Sequence, residues 1–280
     1  MNHAKRDLAG MPSRQDVPPE ETAAGAVPVP RALVPPLSQA AILLDIDGTL
    51  LDLAPTPREV WVPPDLAKTL DRLLIRTSGA LALVSGRSLN DIDLIFAPAQ
   101  FPAVGGHGAE MRIVTDSEAV VTHAPPMDQE LKRRLAAIAR LSPGILLEDK
   151  GYSLALHYRL APHAEQAIYA AVSLIRADLP NAPIEVLSGK SVCEIKHAGF
   201  SKATGVLELM THEPFRGRCP IFIGDDVTDE TVFAIMPNLG GRAFSVGRRA
   251  KGVDGHFDQP RDVREWLAHL LDDEAGAAGS

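Results

Sequence analysis

From residue 40 to residue 272, short apolar runs alternate with stretches whose apolar positions recur every three or four residues. The run 41-AILLD-45 has the length and composition of a buried strand. Leu66, Leu70, Leu73 and Leu74 fall at i, i+4, i+7 and i+8, which predicts a helix over 64–77. The same reading predicts strands over 80–84 and 101–106, the latter ending in a glycine turn, with a helix over 88–96 between them. Further along it predicts helices over 201–212, 228–236 and 260–271, with strands over 220–224 and 242–246. Such alternation predicts a mostly parallel sheet covered by helices on both faces.

The middle of the chain has another rhythm. After short strands at 111–114 and 119–123, a helix over 128–141 precedes strands at 145–149 and 152–159. A helix over 163–179 then precedes strands at 184–188 and 191–196. Helix–strand–strand thus occurs twice, which predicts an inserted α+β module. The expected organisation is a core of 39–122 and 197–272 interrupted by a cap at 123–196, with linkers near 122–125 and 197–200 as hinges. Residues 1–38 hold seven prolines and are expected to form a flexible tail, because proline fixes φ and removes a donor. Residues 273–280 are expected to fray.

The chain has 280 residues, 45% of them hydrophobic, and a net charge of −8. That charge argues against nucleic acid and anionic membrane as partners. Two cysteines are too few for a disulfide framework, and no apolar leader stands at the N-terminus, so a cytoplasmic protein is expected. No run is long enough for a membrane span. The loops that mark nucleotide binding, zinc proteases and serine hydrolases are also missing.

The candidate chemistry sits at predicted strand ends, where open α/β sheets bind ligands. The first strand runs into 45-DIDGTL-50. Asp45 and Asp47 there have the makings of a nucleophile, an acid/base or a metal ligand, although D-x-D-G is also ordinary turn chemistry. The second strand runs into 85-SGR-87, where a hydroxyl and turn N–H groups suit phosphate, unless Ser85 or Ser88 only caps the next helix. Lys202 opens a predicted helix, as a counter-charge or as a solvated lysine. The strand 220–224 runs into 224-GDDVTDE-230, whose acids need a cation unless Asp226 or Thr228 merely caps a helix. Hard oxygen ligands favour magnesium, with Asp225 as ligand and Asp226 and Asp229 as support.

Taken in order, these motifs resemble the haloacid dehalogenase (HAD) superfamily. The stretches 45–57, 104–110, 148–159, 189–206 and 221–230 resemble trehalose-6-phosphate phosphatases. One departure is visible: Ser201-Lys202-Ala203 stands where that family often has Asn-Lys-Gly. The resemblance implies a HAD-like Rossmannoid core with an α+β cap. It also implies Mg2+ held by Asp45, the Asp47 carbonyl and Asp225, and trehalose 6-phosphate as substrate. Asp45 is then the nucleophile and Asp47 the acid/base, while Ser85 and Lys202 bind phosphoryl oxygens. Glu148, Lys150 and Glu194 are expected at the sugar, with Lys190, Arg159, Gly86 and Arg87 as further substrate contacts; for Arg87 a pairing with an acid of the core is the other expectation, its partner left open. His107 and His157 are expected to be structural. A monomer is expected, with association to a trehalose-phosphate synthase open. The rivals are a sucrose- or hexose-phosphate phosphatase, a phosphosugar mutase, and an inactive regulatory partner of the synthase. The presence of Asp45, Asp47, Lys202 and Asp225 together argues against the last.

Overall fold

The computed structural model describes residues 29–30, 33–54, 60–115, 121–122, 124–189 and 191–277. The larger sheet contains β1 (Ala40–Leu44), β2 (Leu81–Val84), β3 (Ala103–Gly105), β4 (Glu110–Arg112) and β5 (Val121–Thr122). It also contains β10 (Cys219–Gly224), β11 (Arg242–Val246) and β12 (Gly255–Phe257), in the order β12-β11-β10-β1-β2-β3-β4-β5. The pairings from β12 to β3 are parallel, and β4 and β5 add on antiparallel.

Strand β1 is buried along its whole length and alternates between two apolar layers. Ala40, Ile42 and Leu44 face the layer built with α1 (Pro64–Arg76), α2 (Leu89–Phe96) and α7 (Pro260–Ala277). Ala41 and Leu43 face the layer built with α5 (Lys202–Leu209) and α6 (Glu230–Ile235). A strand buried on both faces is what a continuous apolar run encodes.

The smaller sheet comprises β6 (Leu146–Asp149), β7 (Ser153–His157), β8 (Ile184–Gly189) and β9 (Val192–His197), antiparallel in the order β6-β7-β9-β8. Leu154, Leu156, Cys193 and Ile195 pack under α3 (Gln129–Ala137) and α4 (Glu165–Asp178). The side-chain period of two therefore puts Ser153, Ala155, His157 and Glu194 on the opposite face. Glu148 pairs with Ala155, and Ala155 with Glu194, so the two acids share that polar face.

Several expectations need correction. Part of the expected tail is packed, not free: Val29, Val34 and Leu37 are buried in the core, and Trp266 Nε1 donates to Val29 O at 3.2 Å. The prolines there prevent neither the burial of the apolar residues between them nor a 3-10 turn over Leu37–Gln39. Helix α7 runs on to Ala277, past the expected end at 271, because 272-DDEAGA-277 holds no breaker except one glycine. Strand β12 was not expected, being three residues long and opening on glycine. The helix after Asp128 tightens into a 3-10 turn over Ile138–Leu141. Residues 1–28, and Lys190, lie outside the described residues.

Candidate active site

Asp45 leaves β1 at its carboxyl end, with its N–H on Ile223 O of β10 at 3.0 Å and only 3% of the residue exposed. Lys202, the first residue of α5, reaches it: Nζ donates to Asp45 Oδ1 at 2.7 Å and to Asp229 Oδ1 at 2.8 Å. Ser201 sets this lysine in place through a reciprocal capping box with Thr204. The departure from Asn at this position thus keeps a good N-cap residue.

Asp229 is fully buried, and its second oxygen accepts the backbone N–H groups of Asp225 (3.0 Å) and Asp226 (3.1 Å). Asp229 itself is the N-cap of α6, so neither Asp226 nor Thr228 fills that place. Asp226 instead accepts from Thr228 N and Oγ1 at 2.6 and 2.7 Å, an Asx turn that fixes the loop.

The electrostatics follow from burial. Burial pushes the Asp45 carboxyl well above the ordinary aspartate value; Lys202 opposes this, and Asp229 and Asp225 add to it. Burial also raises Asp229. For Lys202 burial acts downward, but Asp229 and Asp45 outweigh it and hold the ammonium above the ordinary lysine value.

Gly48 turns the chain away from β1 with φ 84°. A Cβ there would overlap the Asp225 carboxylate, so glycine is needed for the turn and for the acid beside it. Arg248 Nε donates to Asp225 O at 3.1 Å and steadies that acid's backbone.

Arg87 pairs with an acid of the core, and that acid is Asp47. Its Nε and Nη2 hold both oxygens of Asp47, at 2.5 and 2.6 Å, a two-point charge-assisted pair. Ser88 takes the cap of α2, accepting from Asp91 N at 3.2 Å. Ser85 is buried at the carboxyl end of β2 and accepts from Arg87 N at 3.2 Å.

The polar face of the smaller sheet lies against these loops. Lys150 Nζ donates to Gly86 O at 3.1 Å and sits 3.4 Å from Glu194 Oε1. Ser153 Oγ donates to the same oxygen at 2.9 Å. Glu148 pairs with His157 Nε2 at 2.9 Å, a hydrogen bond that lowers its pKa. Arg159 is exposed, and its Nη1 donates to Ala54 O at 3.1 Å, so it ties the smaller sheet to the loop after Asp47. His107 joins Glu194 Oε2 at 3.2 Å, a contact between the two sheets that sequence reasoning missed when it set this residue aside as structural. Gly86 lies between Ser85 and the Arg87–Asp47 pair, under Lys150.

Asp45, Asp47, Ser85, Lys202 and Asp225 thus converge from the ends of β1, β2 and β10 and from the start of α5. Residues 43–258 match the family model described as trehalose-phosphatase. The chain belongs to the trehalose-phosphatase family.

Its relatives include the trehalose-6-phosphate phosphatase of Escherichia coli K12, 37% identical over 227 residues. That match covers 81% of this chain and 85% of the relative. A probable trehalose-phosphate phosphatase of Sinorhizobium fredii is 44% identical over 220 residues, covering 77% and 81% of the two chains. Among solved structures, the C-terminal domain of Candida albicans trehalose-6-phosphate phosphatase superposes with a TM-score of 0.73 at 22% identity. That superposition covers 84% of this chain and 92% of that one. The fold is also similar to that of BT1666 from Bacteroides thetaiotaomicron, described among phosphatases of the haloalkanoate (HAD) enzyme superfamily, with a TM-score of 0.54 at 17% identity. No helix among the described residues is long and apolar enough to cross a membrane.

Proposed function

We propose that this trehalose-phosphatase family member hydrolyses trehalose 6-phosphate to trehalose and phosphate, the last step of trehalose biosynthesis, with Asp45 as nucleophile. The observation that carries the reading is the buried Asp45–Lys202–Asp229 chain, at 2.7 and 2.8 Å, at the carboxyl end of the central strand. It supports Asp45 as the attacking carboxylate and the Lys202 ammonium as the charge that offsets the phosphoryl group.

The donor set fits magnesium. Asp45, Asp225 and Asp229 each offer a carboxylate oxygen, all within 4.8 Å of one another, and hard oxygens are what this ion takes. Both Asp229 oxygens already have partners, so Asp45 and Asp225, with the Asp47 carbonyl, are the residues that would hold the ion. Asp226 and Asp229 support the loop that carries Asp225. When bound, the ion would screen the repulsion between carboxylate and phosphate.

The chain's own groups do the rest. Asp45 forms a bond to phosphorus as the phosphorus–sugar oxygen bond breaks, while Asp47 passes a proton to that oxygen. Asp47 then takes a proton from the water that splits the aspartyl-phosphate. Because Arg87 holds both Asp47 oxygens, Asp47 gives up one of those bonds to reach the substrate. Ser85 and Lys202 bind the transferring phosphoryl group.

In this reading the smaller sheet is a cap over the site, hinged at the linkers 122–125, of which His123 lies outside the described residues, and 197–200. On its polar face Glu148, Lys150 and Glu194 satisfy one another and their neighbours, and sugar hydroxyls would exchange for those bonds. The reading takes the chain as a cytoplasmic monomer, open to association with a trehalose-phosphate synthase.

The test is phosphate release from trehalose 6-phosphate, with and without magnesium, by the native chain and by Asp45→Asn. The native chain is expected to turn over and the variant to be inactive. Near-native turnover by the variant would remove the covalent mechanism.

A further inference from the structure

The turn 105-GGHG-108 after β3 has no place in the mechanism above, yet it touches the loop of Ser85, the start of α5 and the smaller sheet. Gly106 N donates to Arg87 O at 2.7 Å, and His107 N to Ser85 O at 3.1 Å. The His107 ring lies directly over Gly86, where a Cβ would overlap its Nε2. Gly108 packs on the carbonyl of Ser201, the residue before Lys202, so closely that a Cβ would overlap that oxygen. From the smaller sheet's side, the Tyr152 hydroxyl rests on Gly106 with no room for a side chain there.

His107 sits in the left-handed region, φ 54°, which is uncommon for a residue with a side chain. Its Nε2 donates to Glu194 Oε2 at 3.2 Å, since a carboxylate only accepts. Its Nδ1 is buried and has no partner among the described residues, so the Glu194 bond is the ring's one polar tie. The other Glu194 oxygen is taken by Ser153 and Lys150, both from the smaller sheet's side. Oε2 is thus the oxygen that reaches the core, and His107 is what it meets.

We propose that His107 is a positioning residue for sugar-phosphate hydrolysis, registering the closed smaller sheet on the Ser85–Arg87 loop through its bond to Glu194. This rests on the trehalose 6-phosphate reading. The bond sets where the sugar-facing groups stand relative to the phosphate-facing ones, and a substrate with no sugar has no use for it.

The test compares kcat/KM for trehalose 6-phosphate and for p-nitrophenyl phosphate in the native chain, His107→Ala, His107→Gln, Glu194→Ala and the His107→Ala/Glu194→Ala double variant. His107→Ala is expected to lower the trehalose 6-phosphate to p-nitrophenyl phosphate ratio about tenfold or more, the order expected for a lost hydrogen bond to a charged group. Glutamine, whose amide N–H reaches about as far, is expected to restore part of the ratio. The double variant is expected to lose little more than Glu194→Ala alone, because both changes remove one bond. Equal losses on both substrates, glutamine no better than alanine, or losses that multiply would each overturn the proposal while leaving the substrate reading intact. A native chain with no preference for trehalose 6-phosphate would overturn both.

Discussion

Lys202 Nζ and Asp45 Oδ1 stand 2.7 Å apart although 157 residues separate them in the chain, and neither residue is more than 4% exposed. A charge pair this deep survives only if both members are present. The second carboxylate on the same ammonium, Asp229, ties the start of α5 to the acidic loop after β10. Nucleophile, counter-charge and acidic loop therefore form one unit.

Lys202→Ala is expected to cost both activity and stability, because it leaves Asp45 and Asp229 buried without a cation. Breaking one side of a buried pair costs about 3–5 kcal/mol. Urea denaturation measures the stability loss, and phosphate release measures the activity. A variant as stable as the native chain would contradict the buried-pair account.

Gly48→Ala is expected to damage the site more than the fold. A residue with a Cβ at φ 84° costs roughly 1–2 kcal/mol in backbone strain. The added carbon also displaces the Asp225 carboxylate. The magnesium concentration for half-maximal activity should therefore rise well beyond what the small stability loss explains. An unchanged magnesium requirement would show that Asp225 does not serve the ion.

Glu194 should make stability depend on pH. Burial alone would raise its pKa; Lys150, then the His107 and Ser153 hydrogen bonds, outweigh burial and hold it well below the ordinary glutamate value. A group with a lowered folded-state pKa stabilises above its unfolded value, about 4.3, and loses that contribution as pH falls further. For Lys150 burial acts downward, but Glu194 and Glu148 outweigh it and raise the pKa. Its contribution is therefore present below about 10.4 and lost as pH rises past that. The stability gap between the native chain and Glu194→Gln should be widest near neutral pH and narrow below pH ~4. Denaturant unfolding at several pH values checks this, and a gap that grows with acid would reverse the sign.

The segment before β1 is part of the core. Leu37 is fully buried against it, so Leu37→Ala is expected to cost about 2–5 kcal/mol. Turnover by the folded fraction should stay native-like, since Leu37 precedes β1 and Asp45 follows its far end. A thermal melt together with phosphate release separates the two effects.

The parts of the site legible in the sequence are those fixed by element boundaries. Asp45, Ser85, Lys202 and Asp225 each stand where a periodic run ends or begins, so the pattern that gives the element also gives the position. Pairings across the fold were not legible. That Arg87 pairs with an acid was an open expectation, but nothing local singles out Asp47, 40 residues away, as the partner. His107 escaped because its reach depends on a left-handed backbone and on the bare surface of Gly86 beneath it. The tie of Arg159 to the Ala54 carbonyl, 105 residues away, was likewise not legible. In the fold, the prolines before β1 gave no sign of the 3-10 turn at Leu37–Gln39, while Val29, Val34 and Leu37 between them carried the sign of burial. Strand β12 is held by its pairing with β11, Phe244 opposite Gly255, rather than by any run of its own.

The central claim is that this site hydrolyses trehalose 6-phosphate in preference to other sugar phosphates. The direct measurement is kcat/KM for phosphate release, in magnesium, from trehalose 6-phosphate, sucrose 6-phosphate and glucose 6-phosphate side by side. The account predicts that trehalose 6-phosphate is the best of the three by a wide margin and that chelating the magnesium abolishes the activity. A higher kcat/KM for sucrose 6-phosphate or glucose 6-phosphate would contradict it.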